Sequence, residues 1–375
     1  RAQMASLPRF QPRTFYDVAM QVAIIRPGPI QGEAVNPLIE RRAGREPVTY
    51  WDPRLEPILG RTYGVVLFQE QLLRIAMELA HFTAGEADEL RRSIDFKRNQ
   101  ERMRKMQAKL RERLAANATA AAATDKIIHA LSSFALYSFP ESHALSFGLI
   151  AYTSAYLKVH RPAEFYVGIL NAQPMGFYSP STLVQDARRH EMTVRPVCVQ
   201  RSADGTTVES ASSFRVGLRA LTGLRAASIA SILSARATRP FDSVADFIRR
   251  TTMSARERHT LSSSGALNQL AGSRRQALWE SARADLEFDL FSPVRAEDTT
   301  AALLTPMSIL ERVKADFATQ SLTTGDHPMK HLRPRFPDLW RADELPPRPH
   351  RPPRPGGRPR VLPQPPRPRK GGRLL

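Results

Sequence analysis

Leu72-Leu73-Arg74-Ile75-Ala76-Met77-Glu78-Leu79-Ala80-His81-Phe82-Thr83-Ala84-Gly85-Glu86-Ala87-Asp88-Glu89-Leu90-Arg91-Arg92 is the stretch that decides the fold. Leu72, Ile75, Ala76 and Leu79 recur at three- and four-residue spacing and form one apolar face of an α-helix. His81-Phe82 ends that run. Thr83, followed three residues later by Glu86, has the spacing of a capping box and predicts a second helix through Leu90, Arg91, Arg92 and Ile94. Lys97 to Arg113 predicts a third, strongly basic helix, and the alanine-rich run from Ala115 to Ala123 extends the helical propensity.

On the N-terminal side, Pro8, Pro12, Pro27, Pro29, Pro37, Pro47, Pro53 and Pro57 recur too often for long helices, so the first sixty residues are expected to be irregular. On the C-terminal side, Leu145, Leu149, Tyr152 and Tyr156 mark a helix that stops near Arg161, because Pro162 follows. Pro162 suits the first turn of the next helix, through Phe165, Ile169 and Leu170. Met192 to Val199 is short and β-branched, the best candidate for a strand. Ser254-Ala255-Arg256-Glu257 and Ser273-Arg274-Arg275-Gln276 have capping-box spacing, each opening a short helix. The expected fold is mainly α with one short β element. Its divisions are an irregular start (1–60), a helical domain (61–200), a second helical domain (201–292), a linker (293–340) and a disordered Pro/Arg-rich tail (341–375).

The chain has 375 residues, 55 Lys+Arg against 36 Asp+Glu and a net charge of +19. Residues 341–375 hold ten Lys/Arg, two Asp/Glu and eleven of the thirty prolines, so the tail carries +8 and the remaining 340 residues +11. Such a balance points to a polyanion, most simply a nucleic acid. A single cysteine, Cys198, cannot form an internal disulfide, which excludes a secreted disulfide scaffold. No apolar run approaches the ~20 residues of a membrane span, so no membrane partner is expected and the chain is read as cytoplasmic. The start, Arg1-Ala2-Gln3, reads as the interior of a longer gene product.

Metal-dependent phosphoryl chemistry needs clustered carboxylates, and Asp-x-Asp does not occur in the chain. Glu86-Ala87-Asp88 sits in a helix start, where acids favour the macrodipole; Asp285-Leu286-Glu287-Phe288-Asp289 reads as a linker. No catalytic or metal-ligating residue is nominated. The cations are more informative. Arg91, Arg92, Lys97, Arg98, Arg102, Arg104, Lys105, Lys109 and Arg111 fall within 21 residues, a density that suits a polyphosphate. A solvated helix face, with Glu101 and Glu112 as partners, is the other reading. Phe139-Pro140-Glu141-Ser142-His143 places Ser142 and His143 at a helix start, suited either to an anion or to local capping. Arg219-Ala220-Leu221-Thr222-Gly223-Leu224 separates two apolar helical stretches, as in a helix-hairpin-helix whose turn amides meet DNA phosphate. The usual second glycine of that turn is Arg225, which adds a cation; an ordinary helical hairpin is the alternative.

Several segments together resemble one family, the bacterial DNA polymerase III alpha subunits (the C-family), and specifically their damage-inducible, error-prone branch. They are Arg26-Pro27-Gly28-Pro29, Tyr63-Gly64 with Gln69-Glu70-Gln71, Leu90-Arg91-Arg92 and Phe139-Pro140-Glu141-Ser142-His143-Ala144. Leu157-Lys158, Pro162-Ala163 with Phe165 and Val194-Arg195-Pro196-Val197 also match, and Leu170-Asn171-Ala172-Gln173-Pro174-Met175-Gly176-Phe177-Tyr178 looks most like the error-prone branch. Their order runs from about residue 8 to about residue 335.

The resemblance implies that residues 1–60 end the palm and begin the fingers, and that 61–200 are the helical fingers. Arg91, Arg92, Lys97, Arg98, Ser142 and His143 would then face the incoming deoxynucleoside triphosphate. Arg26, Lys105, Arg219, Thr222, Gly223 and Arg225 would meet primer–template DNA. Residues 285–292 would stand where the replicative branch carries its sliding-clamp peptide, without the Gln that opens it, so the clamp is expected only indirectly. A catalytically inactive Y-family-like protein is the accessory translesion partner the family implies. Mg²⁺ serves the whole polymerase through palm aspartates upstream of the matched region, and is not bound by this chain. Departures from the family are the missing glycines near Leu136-Tyr137-Ser138 and near Asp95, and the Pro/Arg tail in place of a β-barrel. A reading-frame change near Leu345 would account for that tail. The rival class is a non-catalytic DNA-binding module, or the remnant of a broken polymerase gene.

Overall fold

A computed structural model describes residues 2–25, 35–95, 100–136, 139–287 and 304–336. The chain is mainly helical and folds as two compact units, Arg1–Val159 and His160–Leu375.

In the first unit the start is not irregular. Helices Ala2–Phe10, Phe15–Ile24 and Val35–Arg42 are present among the described residues, none longer than ten. The prolines limit helix length but do not abolish helices, because side chains satisfy the freed backbone ends. Thr14 accepts from the Asp17 N–H at 3.2 Å, and the Asp17 carboxylate accepts from the N–H groups of Arg13 and Thr14 at 2.8 Å. Arg42 donates to both Asp17 oxygens at 2.9 Å and to the carbonyls of Phe10 and Gln11, tying the three helices together. Phe10, Met20, Ile24, Leu38 and Ile39 are buried there with Leu67, Phe68 and Ala144.

The quoted stretch forms helices Gln69–Ala80 and Ala84–Asp95. Leu72, Ile75, Ala76 and Leu79 are buried, and Thr83 and Glu86 exchange the two bonds of a capping box. Leu90 joins the same core with Met106, Leu110 and Leu114 of helix Gln100–Ala116 and Ile127 of helix Ala121–Leu136. The alanine run does not continue one helix into the next. The chain turns at Asn117–Ala120, with Ala118 in the left-handed region at φ +56. There Asn117 Nδ2 donates to Leu79 O, and Arg54 donates to Thr119 Oγ1, so packing overrides propensity. Helix Glu141–His160 ends one residue before Arg161, as Pro162 requires. Its apolar residues are largely exposed, among them Leu149, Ile150, Tyr152, Tyr156 and Val159, the last at 73%.

In the second unit, helices Pro162–Asn171 and Pro180–Arg189 precede a small sheet. Strands β1 (Thr193–Arg195), β2 (Thr207–Ser210) and β3 (Ser213–Arg215) lie in the order β1-β3-β2, with β1 parallel and β2 antiparallel to β3. β1 falls within the expected strand; β2 and β3 are three or four residues in a Ser/Thr-rich stretch, too short to show alternation. Because β1 pairs with β3, residues 193–199 pack with the segments on their C-terminal side, within the unit that begins at His160. Phe214, Val194, Tyr166, Ile232, Phe247 and Leu261 form the core. Helices Ala226–Thr238, Val244–Arg250, Ala255–Ser264 and Arg274–Glu287 surround it.

Ser254 and Glu257 make the full capping box; at Ser273 the hydroxyl accepts from the Gln276 N–H, but Gln276 donates onward to Glu280. Part of the expected linker is ordered. Helix Ile309–Gln320 has its own capping box at Ser308 and Glu311, Leu322 enters the core, and Asp316 pairs with Arg274 at 2.6 Å. The tail from 341 onward lies outside the described residues.

Candidate nucleic-acid interface

The hairpin around Gly223 differs from two equal helices. β3 runs into a single 3-10 turn, Leu218–Ala220, followed by the turn Leu221–Arg225 and helix Ala226–Thr238. Leu218, Leu221, Ile229 and Ile232 anchor both arms in the core, which leaves Thr222, Gly223, Arg225, Ala226 and Ala227 at the surface. Gly223 has φ +83, and a Cβ built there would meet nothing within 4 Å. The Thr222 N–H donates to Thr319 O at 2.7 Å and the Arg225 N–H to Glu257 Oε1 at 3.0 Å. The N–H groups of Gly223, Ala226 and Ala227 meet no acceptor among the described residues, as the opening of a helix leaves them. Free amides beside small side chains suit a phosphate that must approach the backbone closely.

The arginines here are tied to acids. Arg219 pairs with Asp204, and Arg225 donates through Nε and a terminal nitrogen to Glu257 at 3.1 and 2.8 Å. Glu257 is buried and also accepts from Ser228 Oγ at 2.7 Å. The Arg225 bonds, against the opposing effect of burial and with the help of the Ser254 N–H and Ser228, hold its carboxyl far below the usual range. Arg225 thus brings its cation with a counter-charge, and the open donors of this turn are backbone groups.

A second left-handed glycine, Gly265 at φ +85, ends helix Ala255–Ser264. Its turn is closed: a Cβ there would lie 2.9 Å from Arg274 Nε and 3.1 Å from Asn268 Nδ2, and Ala266 and Leu267 are buried.

Arg91 and Arg92 both pair with Asp88, at 2.9 and 2.8 Å. Lys105 pairs with Glu101 at 2.8 Å on an exposed surface. Lys109 and Arg113 converge on Glu86 at 2.9 and 2.7 Å; with the Thr83 N–H they hold its carboxyl at about 2. Arg104 is exposed and meets no acid among the described residues. Arg26, Lys97 and Arg98 lie outside the described residues, as do 288–292 of the clamp-peptide position, whereas Asp285 and Glu287 end helix Arg274–Glu287.

Ser142 and His143 occupy the first turn of helix Glu141–His160, with the His143 ring edge-on between Phe139 and Phe147 at 5.1 and 4.6 Å. Glu70 accepts from the Glu141 N–H at 2.9 Å, and Tyr16 Oη donates to Glu141 Oε1 at 2.7 Å. Burial, then that bond, pushes the Tyr16 phenol well above its ordinary range. Gln71 accepts from the N–H groups of Leu67 and Phe68 at 2.8 and 3.1 Å. The Gln69-Glu70-Gln71 motif therefore contains two joints of the backbone.

Arg61, missed in the sequence, stacks 3.9 Å over the Tyr16 ring. A lone arginine in a 3-10 turn offers no periodic signal. Nor do Asp204 and Glu257, which lie 15 and 32 positions from the arginines they hold.

Among the described residues no group of three His, Cys, Asp or Glu could hold a metal ion. Glu86 and Asp88 are each engaged by two cations, so this pair does not fit Mg²⁺. No helix is long and apolar enough to cross a membrane, among the described residues.

Residues 1–118 match the family model for the bacterial DNA polymerase III alpha subunit finger domain, and residues 191–277 match the model for the helix-hairpin-helix motif. An error-prone DNA polymerase of Anaeromyxobacter sp. (strain K) is 45% identical over 346 residues, covering 89% of this chain and 30% of that protein. The error-prone DNA polymerases of Dechloromonas aromatica (strain RCB) and Bordetella bronchiseptica (strain ATCC BAA-588 / NCTC 13252 / RB50) are 42% and 43% identical, covering 89% and 90% of this chain. The chain spans 32% of the length of each of these two.

Proposed function

Because this chain is homologous to one stretch of the bacterial error-prone DNA polymerases, finger domain included, we propose that it supplies the fingers and duplex-binding portion of such an enzyme. The reaction would be template-directed nucleotidyl transfer during damage-induced, translesion synthesis. The fingers would meet the incoming deoxynucleoside triphosphate, and the hairpin would hold the primer–template behind it. The catalytic carboxylates and their Mg²⁺ would belong to a palm outside this chain. The chain alone then binds DNA and extends no primer. An inactive Y-family-like partner, with indirect access to the sliding clamp, completes the proposed setting.

The observation that carries this reading is the open turn at Gly223, where unengaged amides and exposed alanines present a surface that DNA backbone can approach. Fluorescence anisotropy with the full chain and a blunt duplex tests it. Gly223→Asp keeps a residue that tolerates the left-handed region but adds a negative charge where phosphate would lie. Duplex affinity is expected to fall several-fold with unchanged circular dichroism. Unaltered affinity would refute the hairpin as the DNA contact, and primer extension by the purified chain would refute its inactivity alone.

A further inference from the structure

Helix Pro162–Asn171 and helix Pro180–Arg189 are joined by a loop whose two aromatic residues stand in solvent: Phe177 is 87% exposed and Tyr178 52%. The loop is not a slack connection. The Met175 N–H donates to Gln173 Oε1 at 3.3 Å, and Ser179 caps the following helix through the Thr182 N–H. Two consecutive rings facing water contribute nothing to the core, and Val184 and Tyr166 of the flanking helices supply that packing instead.

The position of the loop indicates what the rings meet. It springs from Asn171, which exchanges two hydrogen bonds with Thr206, at 2.9 and 2.8 Å. Two residues before Thr206, Asp204 accepts from the Arg219 N–H at 2.9 Å and pairs with its side chain, at the first arm of the Gly223 hairpin. Aromatic loop and hairpin are thus connected through one short loop of the same unit. That unit is cationic: residues 160–287 contain seventeen arginines, no lysine and eleven carboxylates, a net of +6. A partner that answers both positive charge and bare aromatic faces is a polyanion carrying unstacked rings. Single-stranded DNA has that chemistry, since every base offers a π-face and every linkage a charge.

We infer that Phe177 and Tyr178 form a stacking platform for unpaired bases of a DNA strand next to the duplex held by the hairpin. This deepens the duplex-binding reading and rests on it. Anisotropy titrations of the full chain against a blunt duplex and against the same duplex with a 5′ single-stranded overhang separate the two. Wild type is expected to favour the overhang substrate. Phe177→Ala with Tyr178→Ala is expected to lower overhang affinity at least roughly fivefold, the loss of stacking on one base, and to leave blunt-duplex affinity unchanged. Phe177→Tyr with Tyr178→Phe should restore the preference, because both rings are kept. No overhang preference in wild type, or equal overhang affinity in wild type and the double alanine variant, would overturn the platform while leaving the hairpin intact. Failure of wild type to bind the blunt duplex would overturn the hairpin reading itself. Sedimentation velocity without DNA covers the other occupant: self-association abolished by the alanine pair would assign the rings to a protein contact and overturn the DNA reading.

Discussion

Asp246 shows how single carboxylates organise the second unit. It is buried at the start of helix Val244–Arg250, where Ser243 caps its N–H at 3.1 Å, and Arg239, Arg249 and Arg250 converge on its oxygens at 2.8 to 3.0 Å. Burial favours the protonated form, but the Arg250 and Arg239 bonds, the Asp242 N–H and the nearby positive charge outweigh it and hold the carboxyl at about 2. A depressed carboxyl stabilises the fold fully above its unfolded value, about 4, and loses that contribution as pH falls through the folded one. Glu257, shifted the same way by Arg225, adds to this trend. Chemical denaturation from pH 6 to pH 2 should therefore show stability falling below about pH 4, and Asp246→Asn should flatten the fall. An identical pH profile in the variant would remove Asp246 from the account. None of these arginines advertised its partner: Arg225 reads as an added cation until Glu257 is found beneath it.

At the scale of elements, the helices that matched expectation are those whose apolar spacing and caps agree, such as Gln69–Ala80 and Ala84–Asp95. Misreadings arose where local propensity and packing conflict. Ala118 is a good helix former in an alanine-rich run, yet it sits at φ +56 and ends helix Gln100–Ala116, where the Thr119 N–H donates to Leu114 O. A side chain in that conformation costs roughly 1 kcal/mol relative to glycine, partly offset by the greater freedom of glycine in the unfolded chain. Ala118→Gly should consequently stabilise the chain by about 0.5 kcal/mol, read as a higher urea midpoint with unchanged slope. A lower midpoint would contradict the strain. Helix Glu141–His160 presents a different case. Its apolar residues lie all round, and a helix of that kind normally sits inside a larger body. The relatives are about three times as long as the stretch they share with this chain.

For the whole molecule, the net charge of +19 divides into +8 on residues 341–375 and +11 on the rest. Lysine and arginine that meet phosphate release counterions, so log Kd for duplex should rise linearly with log salt, by about 0.9 for each phosphate neutralised. A chain ending at Trp340 should show a shallower slope while keeping its preference for overhang over blunt DNA. Loss of the preference with the tail would place the recognition there instead of in the second unit. The sequence by itself determined the helical class, the capping boxes at Thr83 and Ser254, the stop at Pro162 and the cationic balance, because each of these is set by neighbours along the chain or by composition. The tertiary structure alone decided which cations are already paired, which glycine turn is open and which is plugged by Arg274, and that two rings at 177–178 face water. Arg91, Arg92 and Lys105 pair within four residues, as helical spacing allows, but Arg219, Arg225 and Arg274 find their acids 15, 32 and 42 positions away, where no local periodicity points.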